Sequence, residues 1–142
     1  MISGESADFQ EYAKWSNGEP VTAYDFEYSW KSALSPEINS EYAYQLYYLK
    51  NGAAYNSGEI TDPDQVGVKA LDDKTLVATL ESPTPYFSSL LTFTTYLPVN
   101  KKLDTSNPDW AKSADNYISN GPFMLSSWDH NHQIEEIGRA HV

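Results

Sequence analysis

Phe26, Trp30, Ala33 and Leu34 recur at i, i+4, i+7 and i+8, a single apolar stripe with Asp25, Glu27 and Lys31 lying off it. The spacing predicts a helix that begins at Ala23. Thr22 stands where an N-cap belongs, and Asp25, three residues on, is the acidic partner of a capping box, favoured also by the positive end of the helix dipole. Just ahead, Asn17-Gly18 is a strong turn dipeptide, and Pro20 fixes its own φ while biasing Glu19 toward extended geometry. The chain therefore reverses after Trp15 and leaves extended. Ser35-Pro36 ends the helix, because the proline ring disfavours helix in the residue before it.

Further along, Tyr42, Leu46, Leu49 and Ala53 repeat at helical spacing behind Ser40, predicting a second helix over residues 41–56. Gly52 costs such a helix about 1 kcal/mol relative to alanine, and Gly58 is a natural stop. Residues 61–65 read as a polar loop containing Asp62-Pro63. Val66, Val68 and Ala70 then alternate with Gly67, Lys69 and Leu71, and after Asp72-Asp73 comes a Thr-, Leu- and Val-rich run to Leu80, the pattern of a β-hairpin with a tight acidic turn. Pro83 and Pro85 end its second strand. Residues 86–91 suit one or two helical turns, and the β-branched and aromatic run 92–99 suits an extended segment. Residues 100–116 are polar around Trp110, and Asn120-Gly121 forms a turn before a strand at Phe123-Met124-Leu125.

Runs of helix and of strand in separate blocks predict an α+β fold: two packed helices with a β-hairpin and short strands. Residues 13–99 read as one subdomain and 100–136 as a second segment. Residues 1–12 show no sustained periodicity, since only Ala7 and Phe9 alternate with polar neighbours, and are expected to be a non-native start. Residues 137–142 match the in-frame translation of a common sequencing adapter, and no function is expected of them.

The net charge of −11 argues against nucleic acid or an anionic membrane as a direct partner, because phosphate binding depends on Lys and Arg. Cysteine is absent, which excludes disulfides, thiolate metal sites and a cysteine nucleophile. No apolar run reaches the length that spans a bilayer. Residues 1–10 have neither the basic start nor the apolar centre of a signal peptide, so an export signal is expected upstream.

Catalysis finds no positive support. His130-Asn131-His132 is a weak metal pattern, better read as solvated surface histidines, and His141 lies in the suspect tail. The acids have plainer explanations, Asp72-Asp73 as a turn and Asp25 as a cap, and no G-x-S-x-G elbow, phosphate loop or EF-hand series is present. No catalytic residue, metal site or cofactor is expected. Eleven tyrosines and four tryptophans fit binding better, since these rings give large contact area with a polar tip. Trp15, Phe26, Trp30 and Phe87 read as core.

The wording from Trp15-Ser16-Asn17-Gly18 through Pro20-Val21-Thr22-Ala23, Asp25-Phe26 and Tyr28-Ser29-Trp30 resembles the peptide-binding proteins of bacterial ABC importers, the extracytoplasmic oligopeptide and dipeptide receptors of solute-binding protein family 5. The resemblance continues through Tyr42-Ala43, the stretch 66–76, Pro83-Thr84-Pro85-Tyr86-Phe87 and Asn120-Gly121-Pro122-Phe123, and covers about residues 13–134. It implies a partial first lobe of a two-lobed fold. The function implied is that of a receptor subunit outside the membrane, in the periplasm or as a cell-surface lipoprotein. Its partners would be a peptide ligand and membrane permease subunits, with no nucleic acid, and a monomer is implied. Two residues are implied as ligand-binding. Tyr42 aligns with a tyrosine that faces the peptide, although it also fits the stripe of the second helix. Phe93, after Leu90-Leu91, falls where relatives carry a polar ligand-facing residue. Relatives of this architecture also take nickel complexes, haem or sugars, and from another class a carbohydrate-acting enzyme or module would use the same aromatics.

Overall fold

The computed structural model describes residues 4–8, as backbone, and residues 13–139. These fall into two compact units: the strand at 4–8 with residues 22–99, and residues 13–21 with 100–139. The stretch from Ala13 to Val21, read in sequence together with the helix that follows it, thus groups with the C-terminal part of the chain.

The first unit is organised on helix α1 (Ala23–Leu34). Asp25 closes the capping box: its Oδ2 accepts the Thr22 amide at 3.0 Å and the Thr22 hydroxyl at 3.2 Å, so an otherwise orphaned backbone donor is satisfied. Asp25 is itself only 8% exposed, a carboxylate held inside by these bonds rather than a solvated surface acid. At the other end Ser35 turns extended before Pro36, as expected. The predicted stripe is the buried one. Trp30 and Leu34 lie in the core, and Phe26 and Ala33 pack against it. Each such large side chain contributes about 1.5–3 kcal/mol through burial.

The stripe packs on a three-stranded antiparallel sheet ordered β1-β3-β2, of β1 (Gly4–Asp8), β2 (Val68–Ala70) and β3 (Thr75–Thr79). The predicted hairpin is β2 and β3, with Val68 opposite Ala78 and Ala70 opposite Leu76, which puts all four on the buried face. Asp72 shapes the turn by accepting the Lys74 and Thr75 amides at 2.8 Å each. The Lys74 amide, with the Thr75 hydroxyl, holds its carboxyl below the usual range. At the free edge of β2, Glu27 Oε2 accepts the Ala70 amide at 2.8 Å, so the helix satisfies a donor the sheet leaves open. Glu27 Oε1 takes Lys31 at 2.6 Å, and Lys31 also reaches Asp64 at 2.9 Å. Burial works against the Lys31 charge, but these two carboxylates outweigh it and raise its pKa above the ordinary lysine value.

Several elements differ from the sequence expectation. The second helix is broken: a 3-10 turn at Ala43–Leu46 is followed by a short helix α2 (Gly52–Asn56). Between them Leu49 makes a bridge to Leu80, the Lys50 amide donates to the Thr79 carbonyl at 2.8 Å, and Asn51 adopts a left-handed φ of 59°. Pairing with the end of β3 offers backbone partners that a continuous helix would forgo, and burial of Leu46 and Leu49 is kept. Ser40 makes no cap, and Ala53 is exposed. Residues 92–99 are not one extended run, because a 3-10 turn at Thr94–Tyr96 interrupts them. The short helix α3 (Phe87–Leu90) stands where one or two helical turns were expected. Strand β1 has no periodic signature in sequence; its partner β3 supplies the ladder.

In the second unit the turn after Trp15 is tight. The Gly18 amide donates to the Trp15 carbonyl at 2.9 Å, the Trp15 amide to Glu19 at 2.8 Å, and Gly18 has φ +88°, a conformation glycine adopts without cost. Lys14 bridges Pro20, Trp15 is buried, and the Ser16 amide donates to Ser119 at 2.7 Å. Helix α4 (Lys101–Ser106) is capped by Asn100, whose side chain accepts the Leu103 amide at 2.9 Å. Trp110 donates from Nε1 to Asp104 at 2.7 Å and meets Tyr117 ring to ring at 5.5 Å. The strand expected at Phe123-Met124-Leu125 is β4 (Phe123–Asp129), which pairs antiparallel with β5 (Gln133–Gly138) across a register shift between Leu125 and Ser127.

Candidate ligand-binding site

Tyr42 and Phe93 occupy equivalent places, each the residue that caps a 3-10 turn. Both rings face outward, 58% and 50% exposed respectively. The helix-stripe alternative for Tyr42 therefore does not hold: Ala43 and Leu46 behind it are buried, and Tyr42 is not. The two turns are tied together by Tyr96, which is buried on the second turn and donates its hydroxyl to the Gln45 carbonyl on the first. Tyr96 also packs edge to face on Phe87, with centroids 5.9 Å apart. Burial, with a smaller contribution from Tyr48, pushes the Tyr96 phenol up to about 12. Nothing in this geometry puts the Tyr42 and Phe93 rings in contact with each other; what they share is an anchor.

Beside Tyr42 the sequence hides a feature that helical spacing obscured. The Tyr42 ring lies 6.3 Å from that of Tyr44, and Tyr44 lines a cleft of about 460 Å³ together with Gln45, Tyr47, Tyr48, Glu81 and Ser82. The walls are fixed. Glu81 donates its amide to the Tyr48 carbonyl at 2.9 Å, the Tyr47 hydroxyl donates to Asn56 Oδ1 at 2.7 Å, and Tyr48 packs edge to face on Tyr86 at 6.0 Å. The nearby Tyr86 hydroxyl raises the Tyr48 phenol. The signal available in sequence was the density of tyrosines at 42, 44, 47 and 48, more than one buried stripe can absorb.

The second unit has its own cleft of about 380 Å³, lined by Tyr117, Phe123, Leu125, Trp128 and Ile134 among others, with Phe123 and Ile134 exposed. The histidines lie at the surface: His130 Nε2 donates to the Lys112 carbonyl at 3.0 Å and its ring packs on Trp128 at 4.2 Å, while His132 approaches Asp129 at 3.4 Å. His141 lies outside the described residues. Among the described residues no group of three or more His, Cys, Asp or Glu side chains is arranged to hold a metal ion, and no helix is long and apolar enough to cross a membrane.

The family model for bacterial extracellular solute-binding proteins, family 5, matches residues 10–136. The chain is 53% identical over 122 residues to the oligopeptide-binding protein OppA of Bacillus subtilis, covering 85% of this chain and 22% of that protein. It is 47% identical over 125 residues to the dipeptide-binding protein DppE of the same organism, covering 88% and 23%. Among solved structures, Listeria monocytogenes OppA bound to peptide superposes with a TM-score of 0.83 at 42% identity, over 89% of this chain and 25% of that one. The substrate-binding domain of an oligopeptide ABC transporter from Bacillus anthracis gives 0.90 at 37% identity, over 95% and 26%. The chain thus spans about a quarter of the length of the relatives it matches. With a match over most of its residues and a fold that superposes on these receptors, the chain belongs to the family 5 bacterial extracellular solute-binding proteins.

Proposed function

We propose that this chain is part of the receptor subunit of an ABC importer, which captures oligopeptides outside the membrane and passes them to permease subunits. The family is one of solute-binding proteins, not enzymes. The 53% identity to an oligopeptide-binding protein carries the reading. The outward rings of Tyr42 and Phe93, each on a turn held by a buried anchor, support it as peptide contacts. A receptor of many peptides grips backbone amides and termini and leaves side chains in hydrated pockets, so exposed tyrosines beside a water-accessible cleft suit the task. The receptor acts as a monomer, in the periplasm or as a cell-surface lipoprotein. The larger unit is its first-lobe subdomain, and residues 100–136 lead back toward the main part of that lobe. No part in peptide capture is assigned to residues 137–142, which follow the end of the family match, although Ile137 and Gly138 extend β5.

The test is a chimera of Bacillus subtilis OppA in which residues 13–136 of this chain replace the matching segment. Calorimetry with tetra-alanine should give saturable binding, weakened about tenfold or more by Tyr42→Ala, as for loss of a ring at a contact centre. A folded chimera that takes up no peptide overturns the reading.

A further inference from the structure

We infer that the tyrosine cleft beside Tyr42 is a subsite for a cationic side chain, lysine or arginine, of the bound peptide, with Glu81 as counter-charge; this rests on the peptide-receptor reading. The face of an aromatic ring attracts a cation, and three tyrosines, Tyr44, Tyr47 and Tyr48, line this one cleft. Its single charged residue is Glu81, and no Lys, Arg or His shares the lining. The chain as a whole carries −11 and so adds to the attraction for a cation. An apolar side chain would use the rings but would displace water from the carboxylate without replacing it, which is unfavourable.

The carboxylate is also held in place. Glu81 Oε2 accepts the Asn51 amide at 2.9 Å, and Asn51 is itself held by its Nδ2, which donates to the Gln65 carbonyl at 2.8 Å. The segments forming the two sides of the cleft are joined by backbone bonds, Lys50 to Thr79 at 2.8 Å and Glu81 to Tyr48 at 2.9 Å. A ligand cation therefore meets a preformed site and orders little on arrival. The volume of about 460 Å³ leaves room for water around an extended lysine or arginine. Through Tyr44 the cleft joins the exposed ring of Tyr42, so a peptide lying against Tyr42 has this cleft within reach of a side chain.

Two measurements test this. With the 142-residue chain, NMR titration with N-acetyl-lysine methylamide should move the Glu81 amide and the Tyr44, Tyr47 and Tyr48 ring resonances, whereas N-acetyl-norleucine methylamide should not, and Glu81→Gln should abolish the difference. Equal shifts with both probes, or none with either, overturn the subsite. With the OppA chimera, tetra-alanine is compared with its four single-lysine variants. One lysine position should bind roughly three- to tenfold tighter than tetra-alanine, the sum of a ring and a carboxylate contact. That ratio should fall toward one in Glu81→Gln and at high salt. Tetra-alanine binding without any lysine preference overturns the subsite alone; a folded chimera that binds no peptide overturns the receptor reading and the subsite with it.

Discussion

Trp30 and Tyr96 meet twice. Their rings pack edge to face with centroids 5.2 Å apart, and Trp30 Nε1 donates to the Tyr96 carbonyl at 2.9 Å. One residue back along the helix, the Ser29 hydroxyl donates to the Leu97 carbonyl at 2.8 Å. Helix α1 thus holds the 3-10 turn behind Phe93 through side chains and backbone at once, and Tyr96 carries the hold on to the turn behind Tyr42. Both candidate contacts depend on one pair of buried rings.

Replacing Trp30 separates these two contributions. Trp30→Phe keeps most of the apolar area but leaves the buried Tyr96 carbonyl without its donor, at a cost of about 1–3 kcal/mol. Trp30→Ala adds a cavity and should cost about 3–5 kcal/mol. Urea unfolding of the chain measures both; an unchanged stability in Trp30→Phe would show that the hydrogen bond contributes nothing, and equal losses would show that the ring adds nothing beyond it.

Alkaline stability reports on Tyr96. Its phenol is raised from the ordinary value near 10 to about 12 in the folded protein, so the folded state holds a proton that the unfolded state has released across this interval. The stabilisation is complete below pH 10 and is lost as pH rises toward 12. Tyr96→Phe should lower stability at neutral pH by about 1 kcal/mol, the loss of the bond to Gln45, and flatten the fall between pH 10 and 12. An unchanged alkaline slope in Tyr96→Phe would contradict the assignment.

Thr22 and Asp25 act as a unit. Thr22→Ala and Asp25→Ala should each destabilise by about 1 kcal/mol, and the double variant by clearly less than their sum. Additivity in a double-mutant cycle would mean that the two side chains do not cooperate at the helix start.

Gly67 allows a close approach of backbones. A Cβ there would collide with the Thr79 carbonyl and stand 2.8 Å from Lys50 Cβ, while the Gly67 and Thr79 amides bond across the same gap to Lys50 and Gly67 carbonyls. Gly67→Ala should therefore cost about 1–3 kcal/mol, in the range of overpacking, although alanine normally suits an ordered chain better than glycine. Thermal unfolding measures the loss, and a melting temperature at or above that of the parent would show that the gap can open freely.

The isolated chain should not bind peptides with useful affinity. It spans about a quarter of the length of its relatives, and a peptide held by two lobes loses most of its partners on one fragment. Calorimetry of the 142-residue chain with tetra-alanine should show no saturation at micromolar concentration; tight binding would contradict this.

What the sequence determined by itself was local and periodic. The stripe of Phe26, Trp30, Ala33 and Leu34, the capping box, the turn at Gly18 and the hairpin across Asp72 are written in neighbouring residues, because each is stabilised by groups within a few positions of one another. Tertiary structure decided the rest. It broke the second helix at Asn51, because the end of β3 offered Leu49 and Lys50 backbone partners from thirty residues away, and it made Gly4–Asp8 a strand through β3 alone. That break also decided the candidate site: a continuous helix would have buried Tyr42 in its stripe, whereas the 3-10 turn points it outward and lets Tyr44, Tyr47 and Tyr48 gather with Glu81 around a cleft. Hydrophobic spacing records which residues want to be buried, and it is blind to hydrogen-bond partners distant in the chain, which here chose between the two backbones.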